Sequence, residues 1–145
     1  MGNLKVHIGL NTEKFADSVE FYKTFFAKEP VKLKPGYAKF DIDSPALNFT
    51  LNEGKVSELG ALNHLGIQVE NTDDVVAATA RLKSAGLLTK EEIGADCCYA
   101  LQDKVWVTDP NGYQWEFFTV KVADTRPDLQ TKIPTSTTSG NACCQ

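Results

Sequence analysis

Two short segments, 57 positions apart, repeat one another and leave few folds open to this chain. Val6-His7-Ile8-Gly9-Leu10 and His64-Leu65-Gly66-Ile67 share the order histidine, aliphatic, glycine, aliphatic. Each is followed by a threonine, Thr12 or Thr72, and an amphipathic stretch ending near Ala27 or Ala85. Alternating apolar residues predict a strand. The three- and four-residue recurrence of Phe15, Val19, Tyr22 and Phe26 predicts a helix with one buried stripe. Thr12 and Thr72 are the expected N-caps, with Glu13 and Asp73-Asp74 in first turns where the helix dipole favours negative charge. Gly86 is expected just past the end of the second helix.

Three further strand-like segments follow each helix. In the first half they fall near 31–34, 36–43 and 46–52, broken by Pro35-Gly36 and Ser44-Pro45. In the second half they fall near 87–93, 102–108 and 113–120, with Asp109-Pro110-Asn111-Gly112 as a turn. The expected fold class is therefore α+β, a βαβββ plan used twice, with modules at about 3–55 and 60–122 inside a folded part of residues 1–122. Residues 123–145 are rich in Thr, Ser, Pro, Gly and Asn, and are expected to form a disordered tail carrying Cys143-Cys144.

Composition removes several functions. Fifteen Lys and Arg against 19 Asp and Glu give a formal charge of −4, and no basic cluster stands out. Nucleic acid and anionic membrane surfaces are therefore not expected partners. No apolar run is long enough to span a bilayer, and the opening residues do not read as a signal peptide, so a cytoplasmic location is expected. In a reducing compartment the four cysteines would serve as ligands rather than staples.

Strand alternation assigns faces. His7 lies opposite the Leu4, Val6, Ile8, Leu10 face. His64 lies opposite Leu65 and Ile67, and Glu116 lies opposite Trp115 and Phe117. A single strand histidine is ordinarily a hydrogen-bonded structural residue, and a lone Glu beside Trp is ordinarily a surface group. Here, however, the only two histidines of the chain occupy equivalent points of a repeat. Two imidazoles and a carboxylate from three strands suit a three-ligand site with open positions. That favours Fe(II), Mn(II) or Ni(II) over a closed structural zinc.

The four cysteines form two adjacent pairs, Cys97-Cys98 and Cys143-Cys144. Small buried residues or a vicinal disulfide would account for one such pair. Adjacent thiolates in a loop can also converge on one soft centre, and trivalent arsenic is such a centre. Tyr37, Tyr99 and Trp106 are candidate walls around an organic group.

The doubled plan over about residues 3–121 resembles the vicinal oxygen chelate superfamily. Its members include glyoxalases, extradiol dioxygenases, bleomycin-binding proteins and fosfomycin-resistance enzymes. The resemblance implies a cup-shaped mixed sheet around one metal, with ligands on the first, fifth and eighth strands, here His7, His64 and Glu116. Glyoxalases add a Glu on the fourth strand, and the matching stretch here, Ala46-Leu47-Asn48-Phe49-Thr50-Leu51, is read as placing Asn48 there. That departure argues for three ligands.

The run Cys97-Cys98-Tyr99-Ala100-Leu101-Gln102-Asp103-Lys104-Val105-Trp106-Val107 is similar to the signature of one subfamily, the organoarsenical carbon–arsenic lyases. Some of these carry the name cadmium-induced protein. Pro35-Gly36-Tyr37-Ala38 and the cysteine-ended tail are also similar. This resemblance implies an Fe(II)-dependent, dioxygen-using enzyme that demethylates trivalent methylarsenite to arsenite and accepts trivalent aromatic arsenicals. Cys97 and Cys98 would bind the substrate, and Cys143 and Cys144 would assist its capture. Mn or Ni could substitute for iron, and a homodimer is one assembly the superfamily uses. The competing expectations are an extradiol dioxygenase, a fosfomycin thiol transferase, or a metalloid-binding protein without chemistry.

Overall fold

A strand followed by a helix of a dozen residues returns most readily to pair in parallel, and both modules do this. The computed structural model describes residues 5–57, 62–97 and 99–128. The first module runs β1 (Val6–Thr12), α1 (Phe15–Phe26), β2 (Lys32–Lys34), β3 (Tyr37–Ile42) and β4 (Leu47–Glu53). The second runs β5 (Leu65–Gln68), α2 (Thr72–Ser84), β6 (Thr89–Cys97), β7 (Ala100–Thr108) and β8 (Gln114–Val122). Two four-stranded mixed sheets result, ordered β1-β4-β3-β2 and β5-β8-β7-β6. β1 pairs parallel to β4, and β5 pairs parallel to β8. The fold is α+β, as the repeat predicts.

The chain divides into two compact units. The first contains the residues up to 60 together with 108–113; the second contains 61–107 and 114–145. In the first, α1 presents Val19, Phe21, Tyr22 and Phe25 as buried residues. The ring of Tyr22 lies 4.4 Å from that of Phe49, and Phe26 lies 5.2 Å from Phe49 and 5.8 Å from Phe40. Each such side chain removed from water contributes about 1.5–3 kcal/mol. In the second unit Val75, Ala78 and Leu82 of α2 are buried, as are Val105, Trp115 and Phe117 on the strands.

The Asp109–Gly112 turn, grouped with the first unit, does more than reverse the chain. Tyr22 donates its hydroxyl to Asp109 Oδ2 at 2.7 Å, and the backbone N–H groups of Asn111 and Tyr113 both donate to Asp109 Oδ1 at 2.8 Å. Thr12 donates to Asn111 Oδ1 at 2.7 Å, while Asn111 Nδ2 donates to Ser18 at 3.0 Å. Buried polar groups satisfied this fully hold one geometry of the turn.

Both expected N-caps move. Thr12 ends β1 and accepts from the Lys14 N–H at 2.9 Å, while the cap position of α1 is Lys14. At α2 the cap is Asn71, whose side chain accepts from Asp74 N at 3.0 Å. Thr72 instead donates to Asp103 Oδ2 at 2.6 Å, because its side chain faces a buried carboxylate that competes for the hydroxyl. Gly86 does end α2. It has φ of +80°, and Leu87 N–H reaches back to the Leu82 carbonyl at 3.1 Å. Among the described residues no helix is long and apolar enough to cross a membrane.

Candidate functional site

The second unit builds its part of the site on a missing Cβ. Gly66 of β5 lies beside Glu116 of β8 in the parallel register. A Cβ at Gly66 would stand 2.9 Å from Glu116 Cγ and 3.4 Å from Oε1, so only glycine leaves room for this carboxylate against the sheet. Glu116 is buried, at 5% exposure. His64 does not lie within β5 as the alternation implies; it immediately precedes it. Its Nε2 nevertheless comes within 3.5 Å of Glu116 Oε1, so the structure brings together two of the three residues singled out as ligands. His64 Nδ1 donates to Asn63 Oδ1 at 2.5 Å, and its ring meets Trp106 edge-on at 5.0 Å.

In the first unit, His7 sits on β1 in register with Asn48 of β4. It is exposed, and its Nδ1 donates to the Asn48 carbonyl oxygen at 3.0 Å. Both histidines therefore spend Nδ1–H on an oxygen acceptor and keep the Nε2 lone pair free, the arrangement that metal-binding histidines use. Within the second unit, His64 and Glu116 offer an imidazole nitrogen and a carboxylate oxygen, donor types that divalent cations take. Among the described residues, no three His, Cys, Asp or Glu side chains of one unit gather as a metal-holding group. The first unit holds one histidine of the expected set, and the second holds the other histidine and the carboxylate.

The register corrects one reading. The residue that stands to Gly9 as Glu116 stands to Gly66 is Thr50, not Asn48. A Cβ at Gly9 would lie 3.2 Å from Thr50 Oγ1, the first module's counterpart of the Gly66–Glu116 contact. Matching by sequence puts Asn48 there because it lines up strand ends, whereas hydrogen-bonded register depends on how far β1 slides along β4. Thr50 and Asn48 are both uncharged, so neither reading puts a carboxylate at that position of the fourth strand.

Lys104 is the residue that motif reading passes over. It is 3% exposed, and its Nζ lies 3.0 Å from Glu116 Oε2. That contact is an ion pair off the line of a hydrogen bond, which leaves Oε2 buried without a hydrogen-bond donor. The ammonium also lies 5.4 Å from the centre of the Trp106 ring and 6.0 Å from that of Phe118. The signal is there in the chain: Gln102, Lys104 and Trp106 alternate on one face of a strand whose other face carries Val105 and Val107. On that other face Asp103 is fully buried, accepting from Thr72, from Gly94 N at 2.8 Å and from Lys121 Nζ at 2.7 Å. Burial pushes its carboxyl pKa up. Lys121, Thr72 and the Gly94 amide outweigh that and hold it below the ordinary value.

Cys97 is the last residue of β6, paired with Ala100 across the hairpin, so the expected loop is short. Cys98, Cys143 and Cys144 lie outside the described residues, as does the side chain of Cys97. Tyr99 turns the hairpin with φ of +62° and is 52% exposed. The chain after β8 returns to this hairpin: Thr125 donates its N–H to the Tyr99 carbonyl and its hydroxyl to Asp96 Oδ1, each at 2.7 Å. Of the three aromatic wall candidates, Trp106 meets His64, Tyr99 sits on the cysteine hairpin, and Tyr37 is a half-buried residue of β3 in the first unit.

Known proteins place this architecture. In Bacillus sp. (strain MD1), a protein named trivalent organoarsenical cleaving enzyme is 46% identical over 139 residues, 95% of this chain and 81% of its own length. A Bacillus subtilis (strain 168) protein named probable trivalent organoarsenical cleaving enzyme is 38% identical, covering 96% of this chain and 98% of its own. Cadmium-induced protein CadI of Mycobacterium bovis is 44% identical over 97% of this chain and 92% of its own. Among solved structures, the fold is shared with a glyoxalase/bleomycin resistance protein/dioxygenase from Alicyclobacillus acidocaldarius. There the TM-score is 0.63 and the identity 14%, over 82% of this chain and 92% of that one. The fosfomycin resistance protein FosX from Listeria monocytogenes gives a TM-score of 0.61 at 20% identity, over 82% and 94% of the two chains. The sequence model of one family matches residues 6–117, and by that match the chain belongs to the Glyoxalase/Bleomycin resistance protein/Dioxygenase superfamily.

Proposed function

We propose that this protein is a carbon–arsenic lyase that converts trivalent methylarsenite to arsenite, using Fe(II) and dioxygen, and that trivalent aromatic arsenicals are further substrates. The observation that carries the metal half is the approach of His64 Nε2 to the buried Glu116 Oε1, with Nδ1 of both histidines already committed to oxygen. The arsenic half rests on the adjacent thiols at the β6–β7 hairpin and on relatives named for organoarsenical cleavage.

His7, His64 and Glu116 would hold the iron. When bound, Fe(II) supplies a centre at which dioxygen is taken up and reduced. Mn or Ni would occupy the same ligands. The chain's own groups do the rest. Cys97 and Cys98 each displace one hydroxide of methylarsenite as water, forming two sulfur–arsenic bonds and leaving the methyl–arsenic bond as the third. Two bonds hold better than one, because the second closes at high effective concentration. Fixing arsenic through both thiols removes its rotation relative to the site, which is worth several kcal/mol, on the order of 7 or more in well-aligned cases. Trp106 and Tyr99 would wall the organic group.

The test is anaerobic purification and Fe(II) loading, followed by methylarsenite in air with arsenite measured as product. Arsenite release that needs both iron and air supports the lyase. Tight binding without release identifies a sequestering protein instead. Serine at Cys97 or Cys98 should abolish methylarsenite binding while iron content holds, since serine offers a hard oxygen to a soft centre. Wild-type affinity and turnover in both variants would sink the arsenic assignment. Light scattering on the iron-loaded protein measures whether it is a homodimer.

A further inference from the structure

Lys104 is a cation buried beside a residue that ought to hold another cation, and the proposed chemistry gives it no role. Its three neighbours fix where its charge sits. Glu116 Oε2 lies 3.0 Å from Nζ, and the faces of Trp106 and Phe118 lie 5.4 and 6.0 Å away. Aromatic faces attract an ammonium and cannot be displaced by it, so the lysine is held from two sides against one carboxylate oxygen. The other oxygen, Oε1, faces His64 Nε2. The two oxygens of Glu116 are therefore not equivalent: one faces the Lys104 ammonium and one is turned toward the imidazole.

We infer that Lys104 is a positioning residue that makes Glu116 a one-oxygen ligand, reserving Oε2 and leaving a coordination position open that a two-oxygen grip would fill. This rests on the reading of His64 and Glu116 as metal ligands. It adds a consequence for affinity. A charge of +1 near a divalent cation repels it, and this repulsion is appreciable where the effective dielectric is low. Lys104 therefore lowers the affinity of the site while keeping it open; the charge alone accounts for the first effect, and only the reservation of Oε2 accounts for the second, which the coordination number reads.

Cobalt(II) is the probe, because its visible d–d absorption weakens as coordination number rises. Titration of the full chain with Co(II), followed by absorbance, compares wild type with Lys104→Met, Lys104→Gln and Lys104→Arg; thermal melting is recorded for each. The expected result is tighter Co(II) binding in Lys104→Met, by about tenfold, together with weaker d–d absorption as Oε2 joins. Lys104→Arg, which keeps the charge, should retain the wild-type spectrum. Unchanged spectra and affinities in Lys104→Met overturn the inference. So does weaker binding with an unchanged spectrum, which marks a structural lysine. If neither Met nor Gln variant folds, Lys104→Arg decides: a wild-type spectrum supports the inference and an altered one overturns it. Failure of wild type itself to bind Co(II), or equal binding in His64→Ala, removes the metal reading and this inference with it. A negative result confined to the Lys104 variants overturns the inference and leaves the metal reading standing.

Discussion

The two modules share one frame and differ at one point. Each has His-aliphatic-Gly at its first strand, with His7 inside β1 and His64 just ahead of β5; that strand runs parallel to the last strand of its module, and in each the glycine faces a side chain that needs the space. In the second that side chain is Glu116, buried, near His64 and paired with Lys104. In the first it is Thr50, and across from it on β3 lies Lys39. The frame is thus a scaffold for positioning, and under the proposed function the chemistry depends on which copy carries a carboxylate. A duplicated fold gives two equivalent places, and here one of them has been left neutral.

The largest effect should separate the two places outright. His64→Ala or Glu116→Gln is expected to lower Fe(II) affinity by more than about a hundredfold, since each removes a proposed ligand. Thr50→Val should leave it within about threefold. Metal analysis after dialysis against graded Fe(II) reads both. Equal losses from Thr50→Val would break the asymmetry and restore a four-residue site.

Next comes the support behind the second copy. Asp103 is buried with one cation and two hydrogen-bond donors. Asp103→Asn should therefore cost about 1–3 kcal/mol of stability, because the buried amide cannot accept at both oxygens from Thr72, the Gly94 N–H and Lys121 as the carboxylate does. The pH dependence has a definite sign. The folded-state pKa is depressed, so this stabilisation is fully present above the unfolded carboxylate pKa and is lost as pH falls through the lower folded value. Urea melts of wild type should weaken on acidification below about pH 4, the usual Asp range, and Asp103→Asn should show less of that loss. Parallel acid curves for the two proteins would remove Asp103 from the account.

The glycines give a finer comparison. Gly66→Ala puts a methyl 2.9 Å from Glu116 Cγ, while Gly9→Ala meets Thr50 Oγ1 at 3.2 Å. The first should reduce Fe(II) affinity about tenfold by shifting a proposed ligand, in keeping with the sensitivity of such sites to neighbouring contacts. The second should change it less than about threefold. Calorimetric titration distinguishes them, and the reverse order would show that the close approach at Gly66 is incidental.

The smallest effect concerns the segment after β8. Thr125→Ala removes the hydroxyl bond to Asp96 and should cost about 1 kcal/mol or less, as for an exposed hydrogen bond. Amide hydrogen exchange at Tyr99 and Ala100 should quicken while Fe(II) affinity holds. Truncation after Val122, which removes all of this segment, should spare turnover at saturating methylarsenite. Complete loss there would show that the segment belongs to the catalytic part.

The repeat itself, the order of strands and helices, Gly86 as a helix stop and the place of His7 on the first strand were all legible in the chain. Each depends on local periodicity or on the backbone freedom of one residue, and local rules act over a few positions. What lay beyond reach were the facts set by contacts between distant segments. Asn71 rather than Thr72 caps α2, because the Thr72 hydroxyl finds Asp103, 31 positions away. Asp109 reads as a turn former, yet it holds Tyr22 of the first helix. Thr50 rather than Asn48 matches Glu116, because the slide of one parallel strand along another is decided by the whole sheet. Lys104 reads as one surface charge among many until β8 brings Glu116 against it. The residue types able to do the chemistry are written in the sequence. Which of their atoms remain free to do it depends on partners that only the tertiary fold supplies, since a hydrogen bond or ion pair made elsewhere removes an atom from use.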